Sequence, residues 1–126
     1  MAKKALQPST LPKPPNFSQG VEASGRMVFI SGLVSIDASG TTIAPGDIEG
    51  QTRHIFQNME NIVKEAGGTR DNIVKMNVFL TDMKNFPGMS KVRSEFFKAP
   101  FPASAAVQAQ LLKPEWLVEI DAVAVL

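Results

Sequence analysis

Val118-Glu119-Ile120-Asp121-Ala122-Val123-Ala124-Val125 alternates residue by residue, the pattern in which a strand turns successive side chains to opposite faces of a sheet. Val118, Ile120, Ala122 and Ala124 form an apolar face suited to cover by helices. The opposite face presents Glu119 and Asp121, followed by Val123 and Val125. The run before it, Ala103 to Gln110, divides in the same way: Ala103, Ala105, Val107 and Ala109 face one side, and Ser104, Ala106, Gln108 and Gln110 the other. Small residues, two carboxylates and valines on the face away from the helices suit a subunit interface enclosing a polar cavity, or alternatively a partly solvated sheet face.

Working outward, two helical patterns supply the cover. Asp47 is placed to cap a helix with apolar positions Ile48, Ile55, Phe56, Met59, Ile62, Val63 and Ala66, ended by Gly67-Gly68. Phe86, Met89, Val92, Phe96 and Phe97 mark the inward side of a second helix, with Pro87 in its first turn and Pro100 beyond its end. Between them, Ile73 to Leu80 reads as a half-buried strand with Val74, Met76, Val78 and Leu80 inward and Lys75 and Asn77 outward. Phe17 to Val21 and Met27 to Leu33 read as two further strands about a turn at Ala23-Ser24-Gly25. The second of these is apolar on both faces, which predicts a central strand. Pro8, Pro12, Pro14 and Pro15 make residues 1–16 an extended arm. The order β-β-α-β-α-β-β predicts a single α+β domain over residues 1–126, with both helices on one face of an antiparallel or mixed sheet.

Composition narrows the function. With 126 residues, 44% hydrophobic, 20% charged and a net charge of +1, the chain has the profile of one globular domain and no clustered basic face, so nucleic-acid binding is not expected. The absence of cysteine excludes disulfides, thiolate nucleophiles and thiolate metal sites. With His54 the one histidine, a metal site would have to be mostly carboxylate and no acidic cluster has suitable spacing, so no metal is expected; no cofactor is expected either. No stretch resembles a signal peptide or membrane span, which predicts a cytoplasmic protein.

Phe17-Ser18-Gln19-Gly20, Phe29-Ile30-Ser31-Gly32-Leu33, Gln51-Thr52-Arg53, Asp71-Asn72-Ile73-Val74-Lys75, Phe79-Leu80-Thr81-Asp82-Met83, Phe101-Pro102-Ala103-Ser104 and Val118 to Ala124 together resemble the YjgF/RidA family, which also carries the names endoribonuclease L-PSP and translation inhibitor. The resemblance runs from Phe17 to Val125. It implies a chorismate-mutase-like fold, a homotrimer closed around the sheet faces, and metabolite pockets between subunits. In well-understood relatives such pockets hydrolyse imines or enamines to a 2-keto acid and ammonia. That chemistry needs a guanidinium to clamp the substrate carboxylate and a carboxyl group to hold water or move its proton.

The resemblance places the clamp arginine at Ser104, the pocket tyrosine at Phe17, a cysteine at Ala106 and an asparagine at Ser90, so each of these ligand-contacting positions departs from the family. Ser31 and Gly32 are retained as site-lining residues, and Glu119 matches the family's water-holding acid. Glu119 is read either as the general acid/base or as a structural acid at the interface, and Ser31 as a hydrogen-bonding group, since no nucleophile elbow surrounds it. His54 is expected to be an exposed or partly packed helix residue, and Trp116 to anchor its loop at the interface. Ser104 and Ala106 are expected on the face that meets the Glu119 pocket. Arg93, Arg26 or Lys91 would be the substitutes for the lost clamp, although Arg93 and Lys91 are expected on a solvated helix face. Two functions stand close together. One is a metabolite-binding pocket protein without ordinary 2-iminoacid deaminase activity, and the other a hydrolase of an imine, enamine or related C–N substrate. An endoribonuclease ranks third.

Overall fold

The computed structural model describes residues 3–126; Met1 and Ala2, the start of the expected arm, lie outside the described residues. The elements are β1 (Lys3–Leu6), β2 (Gly20–Ala23), β3 (Met27–Leu33), α1 (Ile48–Glu65), β4 (Ile73–Leu80), α2 (Phe86–Phe96), β5 (Ala103–Gln108) and β6 (Val118–Val125). β3, β6, β4 and β5 lie side by side in that order, with β4 and β5 parallel and the other pairs antiparallel. The mixed α+β sheet expected from the element order is therefore present.

α1 starts where its cap predicts, with the Asp47 carboxylate accepting from the Gly50 amide at 3.0 Å. It stops at Gly67, whose φ of 92° falls in the left-handed region that glycine adopts without strain. Its stripe of Ile55, Phe56, Met59 and Val63 packs with Met89, Val92 and Phe97 onto Met76, Val78, Leu80, Val118 and Ile120 of the sheet. Phe56, Phe96 and Phe97 meet with ring centroids 5.0–5.2 Å apart, a contact worth about 1 kcal/mol per pair beyond area burial.

Four local expectations are corrected. Lys3–Leu6 within the arm is a strand and pairs with β2, so the ribbon forms a separate two-stranded sheet. β3 is an edge strand, paired in the sheet with β6 alone among the described residues; its outer face is uncovered, leaving Met27 58% and Phe29 73% exposed. A register shift between Ile73 and Lys75 puts Ile73 rather than Val74 in the core. In α2, Phe86 is 36% exposed, whereas Arg93 is buried. Met89, Val92, Arg93 and Phe96 follow helical spacing, so the guanidinium lies on the same stripe as the apolar residues.

Candidate functional site

The site residues fall into two groups on opposite faces of the sheet. Ser104 stands across from Met76 and Ala106 across from Val78, both core positions, so these two residues face the helices. Glu119 is across from Phe79, on the outer face, where Asn77 donates to Asp121 at 3.0 Å one pair further along. The expectation that Ser104 and Ala106 share a face with the Glu119 pocket therefore fails within one chain. Residue-by-residue alternation settled each strand alone; the pairing register decided how the strands' faces matched.

The outer group is built on a bulge. Ile30 is across from Ala122 and Leu33 from Ile120, so β3 carries one more residue than β6 over that interval, and the surplus falls at Ser31-Gly32. The Glu119 side chain fills the space beside Gly32: a Cβ there would lie 2.5 Å from Oε2 and 2.9 Å from the carboxyl carbon. Gly32 thus serves close approach, as the sequence suggests. Ser31 and Gly32 are exposed and border a cleft of about 540 Å³ shared with Leu33, Ile36, Asn58 and Ile62. His54, half-buried at the edge of this region, lies 2.8 Å from the Ile36 carbonyl through Nε2, in keeping with a packed helix residue.

The inner group centres on a residue that the sequence reading assigned to solvent. Arg93 is 3% exposed; Nη1 donates to Ser104 Oγ at 3.2 Å and Nη2 to Asn16 Oδ1 at 3.0 Å. Its guanidinium carbon is 5.4 Å from the Phe17 ring centroid and 5.9 Å from that of Phe86. Asn16, 4% exposed, donates through Nδ2 to the Ser90 carbonyl, Ser90 Oγ and Ser94 Oγ at 2.8–3.0 Å. Phe17, Ser90 and Ser104 therefore lie together around Arg93, named from the sequence only as a substitute clamp, and around the Asn16 amide, which the sequence does not single out. The usable signal was that Arg93 lies four residues after Met89, on the inward stripe. Of the other candidate cations, Arg26 donates to the Ala66 carbonyl at 2.9 Å, at the C-terminal end of α1, and Lys91 pairs with Glu49 at 3.2 Å. Neither is spent at Ser104.

Burial holds the Arg93 pKa below the usual arginine range, and no carboxylate is near enough to offset it. Among the described residues Arg93 makes no ion pair, and Nε has no hydrogen-bond partner. Trp116 is tied within its own chain, donating to Thr42 Oγ1 at 3.2 Å. Among the described residues no group of three or more His, Asp or Glu side chains converges to ligate a metal ion, and no helix is long and apolar enough to cross a membrane.

The family model described as Endoribonuclease L-PSP matches residues 9–126. The chain belongs to the YjgF/RidA family. A RutC family protein of Pyrococcus abyssi is 35% identical over 98% of both chains. Among solved structures, the Rid family protein YyfB of Yersinia pestis, described as of unknown function, superposes with a TM-score of 0.87 at 30% identity, covering 100% of each chain. RidA from an Antarctic Psychrobacter superposes with a TM-score of 0.73 at 30% identity, covering 98% of this chain and 99% of its own. Within this YjgF/RidA chain, Ser104 occupies the position the resemblance gives to the clamp arginine, and the nearest guanidinium comes from α2 instead of β5.

Proposed function

We propose that this YjgF/RidA protein binds a small metabolite in pockets between copies of itself and lacks ordinary 2-iminoacid deaminase activity. The observation that carries this is the separation of the two groups. Glu119 meets Gly32 from the outer face of the sheet, with Ser31 beside it in the bulge, whereas Phe17, Ser90, Ser104 and Ala106 lie on the helix side, so a pocket using both groups needs a second chain. The uncovered outer face, with Met27, Phe29 and Val107 exposed, supports association. A homotrimer is the closed assembly the family resemblance implies.

Ser104 offers a hydroxyl where a bidentate carboxylate clamp would stand, and the loss of such a charge-assisted contact removes about 3 kcal/mol, roughly two decades in binding. Arg93 does not reproduce the clamp in place, because Nη1 and Nη2 are already bonded to Ser104 and Asn16. The retained Glu119 beside Gly32 favours the second reading, a hydrolase of another imine, enamine or related C–N substrate, with Glu119 moving the proton and Ser31 orienting water. Coupling the protein to a pyridoxal-phosphate serine dehydratase and following keto-acid release tests the choice. The expected result is no acceleration over the uncatalysed rate; acceleration abolished by Glu119→Gln would establish the hydrolase.

A further inference from the structure

In the sheet order β3-β6-β4-β5, the connection from β5 to β6 has to pass over β4. β4 and β5 are parallel and β6 is antiparallel to β4, so β4 and β5 both end where β6 begins, and residues 109–117 arch across that edge. The β5 ladder finishes with the Ala109 amide on the Leu80 carbonyl at 2.9 Å, while Thr81 turns the other way and donates to the Leu117 carbonyl at 3.1 Å. Their divergence leaves a crevice of about 580 Å³ outside the carboxyl ends of two parallel strands, a place where open sheets hold ligands. None of Phe17, Ser31, Ser104 and Glu119 lines it.

The crevice is rich in donors. Gln108 Oε1 accepts from the Met83 amide at 3.1 Å; since a backbone N–H can only donate, this fixes the side-chain amide and leaves its NH2 group unbonded at the crevice. The backbone amides of Gln110, Leu111, Leu112 and Lys113 donate to no acceptor among the described residues. Lys113 is the one charged side chain in the lining. It has no carboxylate partner among the described residues, and its ammonium lies 5.4 Å from the Trp116 ring. The nearest acids along the chain are engaged elsewhere: Asp82 caps the turn at Met83–Asn85 and pairs with Lys84 at 3.7 Å, and Glu115 meets Thr42 at 3.5 Å.

We propose that this crevice binds a small phosphate monoester, at a second site beyond the pocket between copies. A cation, a free side-chain amide and a run of unspent backbone N–H groups call for an anion, and no carboxylate in the lining competes. Together they hold more donors than the two oxygens of a carboxylate accept, whereas a monoester brings three acceptor oxygens and close to two negative charges. Leu111 and Leu112, the latter 92% exposed, give the ligand's carbon portion an apolar wall. All of these groups come from one chain, so the site does not need the second copy on which the composite pocket depends.

The test follows the backbone amides of Gln110 to Lys113 in a ¹H–¹⁵N spectrum of the whole protein, with glycerol 3-phosphate as probe and glycerol as its uncharged control. Glycerol 3-phosphate should move these resonances saturably and glycerol should not. Lys113→Met should weaken binding about tenfold or more, whereas Lys84→Met, the same change of charge outside the crevice, should leave it unaltered. Gln108→Glu keeps an oxygen for the Met83 amide but replaces the free NH2 group with negative charge, so it should abolish the response. Should that variant fail to fold, the lysine pair still decides. Amides unmoved by tens of millimolar glycerol 3-phosphate overturn the site. So does an equal loss of affinity in the two lysine variants, which would mean attraction to net charge alone. Inorganic phosphate binding as tightly as glycerol 3-phosphate, or a phosphopeptide binding far more tightly, overturns the small monoester as the occupant.

Discussion

The carboxylate of Glu119 lies so close over Gly32 that a single added methyl group would stand 2.5 Å from Oε2. Gly32 has no positive φ, so its backbone accepts alanine and the obstacle is the side chain alone. Gly32→Ala should therefore cost about 1 kcal/mol in the wild type, as the carboxylate is pushed aside. In a Glu119→Ala background it should stabilise by about 0.5 kcal/mol, because alanine restricts the unfolded chain more than glycine does. Denaturant melts of the four proteins give the sign; equal costs in both backgrounds would show that Glu119 does not fill that space.

Phe29 sits across from Val123 on the outer face, with Lys75 on the other side of Val123. The parent should sediment as a trimer at micromolar concentration and Phe29→Asp or Val123→Lys as a folded monomer, since each substitution buries an unpaired charge on association. A parent that sediments as a monomer would remove the basis for a pocket between copies.

Ser104→Arg returns a guanidinium to the clamp position, but Arg93 Nη1 is 3.2 Å from Ser104 Oγ, so the new guanidinium meets a buried like charge. The single variant should lose about 2 kcal/mol or more of stability and gain no deaminase activity. Ser104→Arg with Arg93→Gln should recover most of that loss. A keto-acid release assay on the double variant then reports whether the remaining pocket is competent. A fully stable single variant would mean the two positions do not compete.

Glu60 is 6% exposed and held by Arg70, whose hydrogen bonds keep the carboxyl below its ordinary value in spite of burial. A depressed folded-state pKa contributes stability above the unfolded value, and that contribution is lost as pH falls through the folded one. Glu60→Gln should therefore cost about 2 kcal/mol at pH 7, less than a fully buried pair because the Arg70 side chain is 37% exposed. The gap to wild type should narrow progressively below the ordinary carboxylate range. Thermal melts of both proteins across pH read it directly, and a gap independent of pH would assign the cost to packing.

Sequence alone determined what depends on neighbours along the chain. The Asp47 cap, the Gly67 stop, the stripe of α1 and the alternation of β6 all arise from local backbone geometry, and each is found where the residues put it. The family was legible for the same reason, being carried by short runs in fixed order. Only the tertiary structure decided which faces meet. Whether Ser104 or Ala105 shares the side of Glu119 turns on the β4–β5 and β4–β6 registers, and the room for Glu119 comes from a bulge in β3. Arg93 shows the limit most clearly. Charge predicts solvent for an arginine on a helix, and its burial rests on Asn16, Phe17 and Ser104, which lie 77, 76 and 11 residues away along the chain and come together only through the fold.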